Sequence, residues 1–226
     1  MKYSIEGGSL PAVIVSLDPG EKMISENGGR TWSKGDILTE TSSNGGVGKM
    51  LGRMVTGESA FMSTYTAQGP AEIAFTSSFP GRIVAMELGA GQTVIAQKTA
   101  FLAASFGVDV GVQVNKNLGA GIAGGEGFLM QRVTGPGIAF FEIDGYCKEY
   151  NLQSGEQLVC DTGVLALMES SVTMTVQKVK GLKNMILGGE GLFDTVLTGP
   201  GKVYLQTMTA QGLAGLLAPF IMPKKK

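Results

Sequence analysis

The sequence of 226 residues contains no histidine, two cysteines and a single tryptophan. Without histidine, the chain cannot form Ser-His-Asp or Cys-His catalytic groups, a histidine-ligated zinc site or a histidine proton shuttle. Two cysteines cannot build a disulfide framework, and with no histidine they are too few ligands for zinc. We therefore expect no catalytic site, no cofactor and no metal.

Charge and long hydrophobic runs are also scarce. The 18 basic and 19 acidic residues give a net charge of −1, so no overall field attracts nucleic acid, and we expect none to bind. The apolar segment 212–223 contains Pro219 and is shorter than the ~20 residues needed to cross a membrane. The apolar run Leu10–Leu17 lies between Glu6 and Asp18 and is not typical of an export signal. We expect a cytoplasmic protein, at most peripheral to a membrane.

Glycine, in contrast, is abundant, with 35 residues. Each glycine inside a helix costs ~1 kcal/mol relative to alanine, so this composition favours short strands and tight turns. A period of two residues predicts strands in many segments: Ala71–Thr76, Arg82–Leu88, Ile138–Ile143, Gln157–Cys160, Val164–Met168, Val172–Val176 and Lys202–Met208. Helix is expected only near Thr99–Ser105 and at Ala210–Ala218. The sequence predicts an all-β fold with a short C-terminal helix.

Two sequence blocks recur three times in the same order. The first is a Gly-Glu pair followed by a Gly-Pro turn: Glu58 with Gly69-Pro70, Glu126 with Gly135-Pro136, and Glu190 with Gly199-Pro200. The second is Leu-x-x-Gly followed by Glu or Gln, at Leu17, Leu88 and Leu152. The offsets of 64 to 71 residues predict three tandem β-sandwich or jelly-roll-like units at 1–80, 81–144 and 145–210, packed as one domain. An apolar and basic tail, 211–226, would follow them.

An ordered set of short motifs resembles the altered-inheritance-of-mitochondria family over nearly the whole chain. The motifs are Leu88-x-x-Gly91, Ala100–Ala104, Gly-Gly-Glu126-Gly-Phe, Thr-Gly-Pro-Gly137, Leu152-x-x-Gly155-Glu156 and Val159-Cys-Asp161-Thr-Gly163-x-Leu. The resemblance implies a β-fold similar to the tryptophan RNA-binding attenuation protein, built from repeated units. The mitochondrial relatives are linked to inner-membrane organisation, and for bacterial relatives the resemblance implies no established reaction.

The best functional signal is the lack of acidic residues in the stretch before each Gly-Glu pair, at 41–57, 110–125 and 170–189. These stretches carry cations and apolar residues among glycines: Lys49, Met50, Arg53, Lys116, Ile122, Lys180, Lys183 and Ile186. Exposed, they would suit an anionic membrane surface or an apolar partner. Alternatively, the apolar residues are buried between units or protomers while the cations are solvated.

Other candidate residues have structural explanations. Glu58, Glu126 and Glu190 either accept backbone N–H bonds from their own turns or converge on a cation, and we favour the structural role. Gly135, Pro136, Gly199 and Pro200 are assigned to turns. Cys147 and Cys160 are expected to be buried strand residues. Gly119, Gly121 and Gly124 match a dinucleotide fingerprint but leave little room for the helix that this motif needs.

The sequence therefore favours a non-enzymatic assembly or scaffold protein. We expect a homo-oligomer that binds protein partners or an anionic membrane surface. The alternative is a small-ligand- or metal-binding β-barrel protein. A weaker third reading is an enzyme that uses carboxylates such as Asp161, Glu156 or Asp194, to which the sequence assigns no roles.

Overall fold

The computed structural model describes residues 1–43, 61–113, 130–161, 163–178 and 193–221. Almost all of this part of the chain is β-strand, which confirms the predicted all-β class. Strand β1 covers Lys2–Glu6. Set 1 follows, with β2 (Ala12–Leu17), β3 (Lys22–Glu26), β4 (Trp32–Lys34), β5 (Ile37–Ser43), β6 (Phe61–Ala67) and β7 (Ala71–Thr76).

Two further sets of six strands complete the β-structure of the described residues. Set 2 comprises β8 (Gly81–Leu88), β9 (Thr93–Gln97), β10 (Phe101–Ser105), β11 (Asp109–Gln113), β12 (Met130–Thr134) and β13 (Gly137–Asp144). Set 3 comprises β14 (Cys147–Leu152), β15 (Gln157–Asp161), β16 (Leu165–Glu169), β17 (Thr173–Lys178), β18 (Phe193–Thr198) and β19 (Gly201–Gln206).

The three sets pair their strands in the same way. In each set the sixth strand lies between the first and the third, and the fifth lies between the second and the fourth. The register also matches, because Leu17, Leu88 and Leu152 of the first strands each pair with the first residue of their sixth strand. These matching registers define equivalent positions in the three sets.

Neighbouring sets share sheets. β3 of set 1 pairs with β10 of set 2, and β9 of set 2 pairs with β16 of set 3. The resulting order is sheet I, β1-β2-β7-β4; sheet II, β5-β6-β3-β10-β13-β8; sheet III, β11-β12-β9-β16-β19-β14; and sheet IV, β15-β18-β17. Sheets II and III therefore each contain strands from two sets.

Three apolar clusters fill the spaces between successive sheets. Val15 and Phe75 of sheet I pack with Phe140 of sheet II. The second cluster lies between sheets II and III and includes Phe141 and Leu167. The third cluster lies between sheets III and IV and includes Ile95, Leu165, Leu197 and Val203. Because sheets II and III are covered on both faces, several of their strands read as continuous apolar runs.

One of the two predicted helices is present. Helix α1 covers Ala210–Ile221, and the Thr209 hydroxyl accepts the Gly212 N–H at 3.0 Å, which satisfies a free donor of the first turn. The helix predicted near Thr99–Ser105 is wrong. A single 3-10 turn, Lys98–Ala100, leads directly into β10, whose five residues are all buried. Pairing on both edges with β13 and β3 overrides the helix propensity of its alanines.

Candidate functional site

The predicted interaction residues Lys49, Met50, Arg53, Lys116, Ile122, Lys180, Lys183 and Ile186 lie outside the described residues, as do Glu58, Glu126 and Glu190. The chain segments that contain them, 44–60, 114–129 and 179–192, occupy equivalent places. Each joins the fourth strand of its set to the fifth. The described strand ends on either side of these segments therefore show where they leave the sheets.

Side-chain hydrogen bonds connect some of these strand ends across neighbouring sets. The Gln131 Nε2 donates to Glu26 Oε1 at 2.8 Å, and Glu26 pairs with Met62 at the start of β6. The start of β12 thus lies beside the start of β6. Gln206 continues the chain of contacts, because its Nε2 donates both to Gln97 Oε1 and to the Gly163 carbonyl at 2.8 Å.

A pair of acidic side chains lies close to these bonds on β13. Glu142 accepts hydrogen bonds from the Ser77 hydroxyl at 3.0 Å and from the Ser78 N–H at 2.6 Å. Asp144 is 7% exposed, and burial together with the Glu142 charge raises its pKa from 3.8 to about 6. Sequence reasoning missed this pair, although two acids spaced two apart in an otherwise apolar strand were a usable signal.

The two cysteines are partly buried, Cys147 against the cluster between sheets II and III and Cys160 against the cluster between sheets III and IV. Burial raises both pKa values, and for Cys160 the Asp161 and Asp194 carboxylates help to raise it to about 11. Both thiols are thus protonated at neutral pH, which makes them poor nucleophiles. Lys148 instead lies over the Tyr150 ring, 5.2 Å from its centroid.

The Leu-x-x-Gly turns gain a role that sequence reasoning missed. Glu21, Gln92 and Glu156 each accept the backbone N–H three residues earlier, at 2.9, 3.1 and 2.7 Å. The Gly-Pro turns at 135–136 and 199–200 have cis peptide bonds and lie against these turns. A Cβ at Gly135 would collide with the Leu88 carbonyl oxygen, and one at Gly199 with that of Gln153.

An open cleft of about 200 Å³ lies where set 2 meets set 3. It is lined by Met86, Glu87, Leu88, Gln92, Val94, Glu169, Lys202 and Tyr204. Glu169 accepts the Lys202 backbone N–H at 3.0 Å, and the Lys202 ammonium lies 2.8 Å from Glu149 Oε1. Burial, followed by the charge of Glu149, raises the pKa of Tyr204, so its hydroxyl stays neutral at physiological pH.

Helix α1 exposes several large apolar side chains. Its residues Ala210–Ile221 include no charged side chain. Leu216, Leu217, Phe220 and Ile221 are 71%, 44%, 87% and 72% exposed. The two i, i+4 pairs in this group lie side by side on one face. Over the described residues, no helix combines the length and apolar character needed to cross a membrane.

Residues 3–208 match the family model described as Mitochondrial biogenesis AIM24. The chain belongs to this family. An uncharacterized protein of Streptococcus pyogenes serotype M6 is 27% identical to this AIM24-family chain over 230 residues, covering 98% of the chain and 91% of the relative. A crystal structure of a Streptococcus pyogenes protein has a TM-score of 0.79 at 24% identity, covering 97% of this chain and 99% of that one. The likeness shows a shared fold.

The relatives of this AIM24-family chain assign it no reaction, so its chemistry has to be inferred from its own residues. Within the described ranges, no group of three or more Cys, Asp or Glu side chains is placed to hold a metal ion. The three carboxylates considered as catalytic candidates have different surroundings. Glu156 accepts a backbone hydrogen bond within its own turn, whereas Asp161 and Asp194 are opposite each other in the backbone pairing of β15 and β18. Among the described residues, the exposed helix and the cleft are the surface features that we consider further.

Proposed function

We propose that this chain is a non-enzymatic assembly protein, built from three related β-units, that attaches to an anionic membrane surface through α1. The observation that carries the proposal is the exposure of Leu216, Leu217, Phe220 and Ile221 on one face of a helix without charges. Exposing this apolar face to water is unfavourable for a protein domain. Burying the face in a lipid surface or a protein partner is favourable.

The sequence around α1 supports a lipid surface as that phase. Fully burying one leucine or phenylalanine side chain stabilises by ~1.5–3 kcal/mol. The last three residues of the sequence are Lys224, Lys225 and Lys226, and each lysine near an anionic surface adds ~1 kcal/mol. The cytoplasmic leaflet, which carries anionic lipid, is therefore the surface we assign.

The assembly part of the proposal rests on the strand pairing. The same six-strand pattern occurs in one register three times, as expected for three copies of one unit. Because neighbouring units share sheets II and III, the three units form one continuous β-structure, and α1 follows its last strand. The alternative of a small-ligand protein gains no support from the cleft, because 200 Å³ is below the ~300–1,000 Å³ of most ligand pockets.

Flotation with vesicles containing anionic lipid tests the proposal. We expect the full-length protein to float with these vesicles at low salt, less so at high salt, and not with neutral vesicles. The double variant Leu216→Ser/Phe220→Ser should lose flotation, because it removes two apolar side chains that enter the lipid.

The matched control places the same chemistry elsewhere. Leu10 and Val159 are 57% and 55% exposed outside α1, and Leu10→Ser/Val159→Ser should float like the wild type. Flotation of the α1 double variant at wild-type level would contradict the role of α1. Absence of wild-type flotation at any salt concentration would overturn membrane attachment altogether.

A further inference from the structure

The outer edge of β2 shows how an added strand binds to this fold. β1 pairs with β2 over five residues, with Tyr3 opposite Val15. The Tyr3 ring then packs edge-to-face on Phe140 of β13, with 5.1 Å between ring centroids. The ammonium group of Met1 lies 2.8 Å from the carboxylate of Glu21. Three contacts therefore hold β1: the backbone edge of β2, the ring of Phe140, which we call the aromatic platform, and the carboxylate of Glu21.

The equivalent edge in set 2 is that of β8. Val15 pairs with the third residue of β7, and Met86 pairs with the third residue of β13, so these two positions correspond. Tyr204 of β19 corresponds in the same way to Phe140 of β13. In sets 2 and 3, the register between the third and sixth strands shifts at the same place. Phe140 and Tyr204 are the residues of the sixth strands that pair directly after this shift. Met86 and Tyr204 both line the open cleft.

The cleft is therefore the counterpart of the space that Tyr3 fills. No described strand pairs with the outer edge of β8, which is eight residues long and forms the end of sheet II. We propose that this edge binds an extended basic segment of a partner protein, which adds a strand to sheet II and places an aromatic side chain in the cleft. This mode is β-strand addition with a side-chain pocket.

The charges of the site favour a basic segment. Glu169 lines the cleft, and the cation of the cleft, Lys202, is already paired with Glu149. Two carboxylates, those of Glu149 and Glu169, therefore act on one ammonium group, and Glu87 adds an exposed acidic residue on β8 itself. Gln92 stands where Glu21 binds the chain terminus in set 1, so the site lacks the carboxylate that holds an α-ammonium group. An internal segment of the partner fits this arrangement better than an N-terminus.

The remaining equivalent edge does not offer the same site. Tyr150 of β14 corresponds to Met86, since it pairs with the third residue of β19. Set 3 has no following set among the described strands, so no third aromatic platform faces β14. A substitution at Tyr150 matched to one at Met86 therefore serves as a control. It shows whether a loss of peptide binding is specific to β8 or follows from changing any sheet edge.

Fluorescence anisotropy of a labelled peptide, Ac-KKYSIK-NH2, tests the inference on the full chain in the absence of vesicles. We expect saturable binding, with weaker binding of Ac-KKSSIK-NH2, which lacks the aromatic ring, and of Ac-EEYSIE-NH2, which reverses the charge. Met86→Lys should weaken binding of the first peptide at least about tenfold, because it brings a cation into the cleft. Tyr150→Lys should leave it unchanged.

A second variant and a second measurement guard against misfolding. Glu87 is exposed, and Glu87→Lys should weaken binding of Ac-KKYSIK-NH2 and strengthen that of Ac-EEYSIE-NH2. Hydrogen exchange should show new protection of β8 amides on binding. Protection confined to other strands, loss of protection in β1, or equal effects of Met86→Lys and Tyr150→Lys would overturn the inference. Association of two copies through β8 without peptide would instead identify a second chain as the occupant.

Discussion

At the scale of the residue, Asp144 links the stability of the fold to pH. Its carboxyl group is almost fully buried beside Glu142, and both effects raise its pKa to about 6. The folded protein therefore holds this proton more tightly than the unfolded chain, in which the pKa is near the ordinary value of 3.8. The contribution of Asp144 to the free energy of unfolding falls as pH rises from about 4 to about 6 and stays low above that range.

The substitution Asp144→Asn tests this linkage. Asparagine stays neutral, so we expect the free energy of unfolding at pH 7.5 to rise by about 1–2 kcal/mol. At pH 4 the variant and the wild type should be nearly equal. Urea unfolding at several pH values measures the difference between the two proteins.

A second carboxylate serves as the control for this measurement. Glu40 is exposed on β5, and Glu40→Gln should leave the free energy of unfolding unchanged at every pH. A loss of stability in Asp144→Asn at pH 7.5 would show that the ionised carboxylate contributes favourably. That result would contradict the role assigned to burial.

At the scale of the element, β1 is an exposed strand that makes an aromatic contact with the core through Tyr3. All five of its residues are exposed by more than a third, and Tyr3 still reaches the buried Phe140 ring. We expect Tyr3→Ala to lower the free energy of unfolding by about 1–2 kcal/mol, because it removes an aromatic pair and its buried area. Guanidinium unfolding measures this change.

A leucine of comparable exposure provides the comparison for Tyr3. Leu38 on β5 is 48% exposed against 45% for Tyr3, and Leu38→Ala should cost less. Hydrogen exchange should also show that Tyr3→Ala releases the β1 amides while β7 stays protected. Equal losses of stability from the two substitutions would indicate that the ring contact with Phe140 adds nothing beyond ordinary surface packing.

Strands with a clear apolar period could be predicted from the sequence. Ala71–Thr76 was predicted to the residue, and Gly81–Leu88 differs from its prediction by one position. β1 and β4 were not predicted, because their exposed residues lack an apolar face. β10 was predicted as helix because five consecutive buried residues show no period at all.

The candidate site was less accessible to sequence reasoning than the strands. The cleft depends on β8 and β19 approaching each other, and no local sequence pattern indicates that Met86 and Tyr204 line one cleft. The apolar C-terminal segment, in contrast, was visible in the sequence, and α1 extends the predicted Ala210–Ala218 helix to Ile221. Local periodicity therefore identified elements, while the surfaces between them required the fold.

At the scale of the whole molecule, the three sets share sheets II and III, and we expect them to unfold as one cooperative unit. Leu167 of β16 pairs with Ala96 of β9 and is fully buried between sheets II and III. We expect Leu167→Ala to cost about 2–5 kcal/mol and to shift the unfolding of all four sheets together. The single tryptophan, Trp32 on β4, reports sheet I by fluorescence.

A thiol reports the opposite end of the molecule. In a Cys147→Ala background, the reaction of Cys160 with a disulfide reagent measures the opening of sheet IV. Both probes should give the same denaturant midpoint before and after Leu167→Ala. Separate midpoints, or a shift of the Cys160 transition alone, would show that the sets unfold as independent domains.

The strand order also governs how the chain folds while it is being synthesised. β3 pairs with β10, so one edge of β3 has no partner until about 75 further residues have been added. At ~5–20 residues per second, the ribosome takes ~4–15 s to supply them. During that interval the nascent chain displays Met23 and Ile24 on an unpaired edge. The speed of translation between codons 27 and 101 therefore determines how long this edge of β3 stays open. During that time a neighbouring nascent chain or a chaperone can bind it before β10 does.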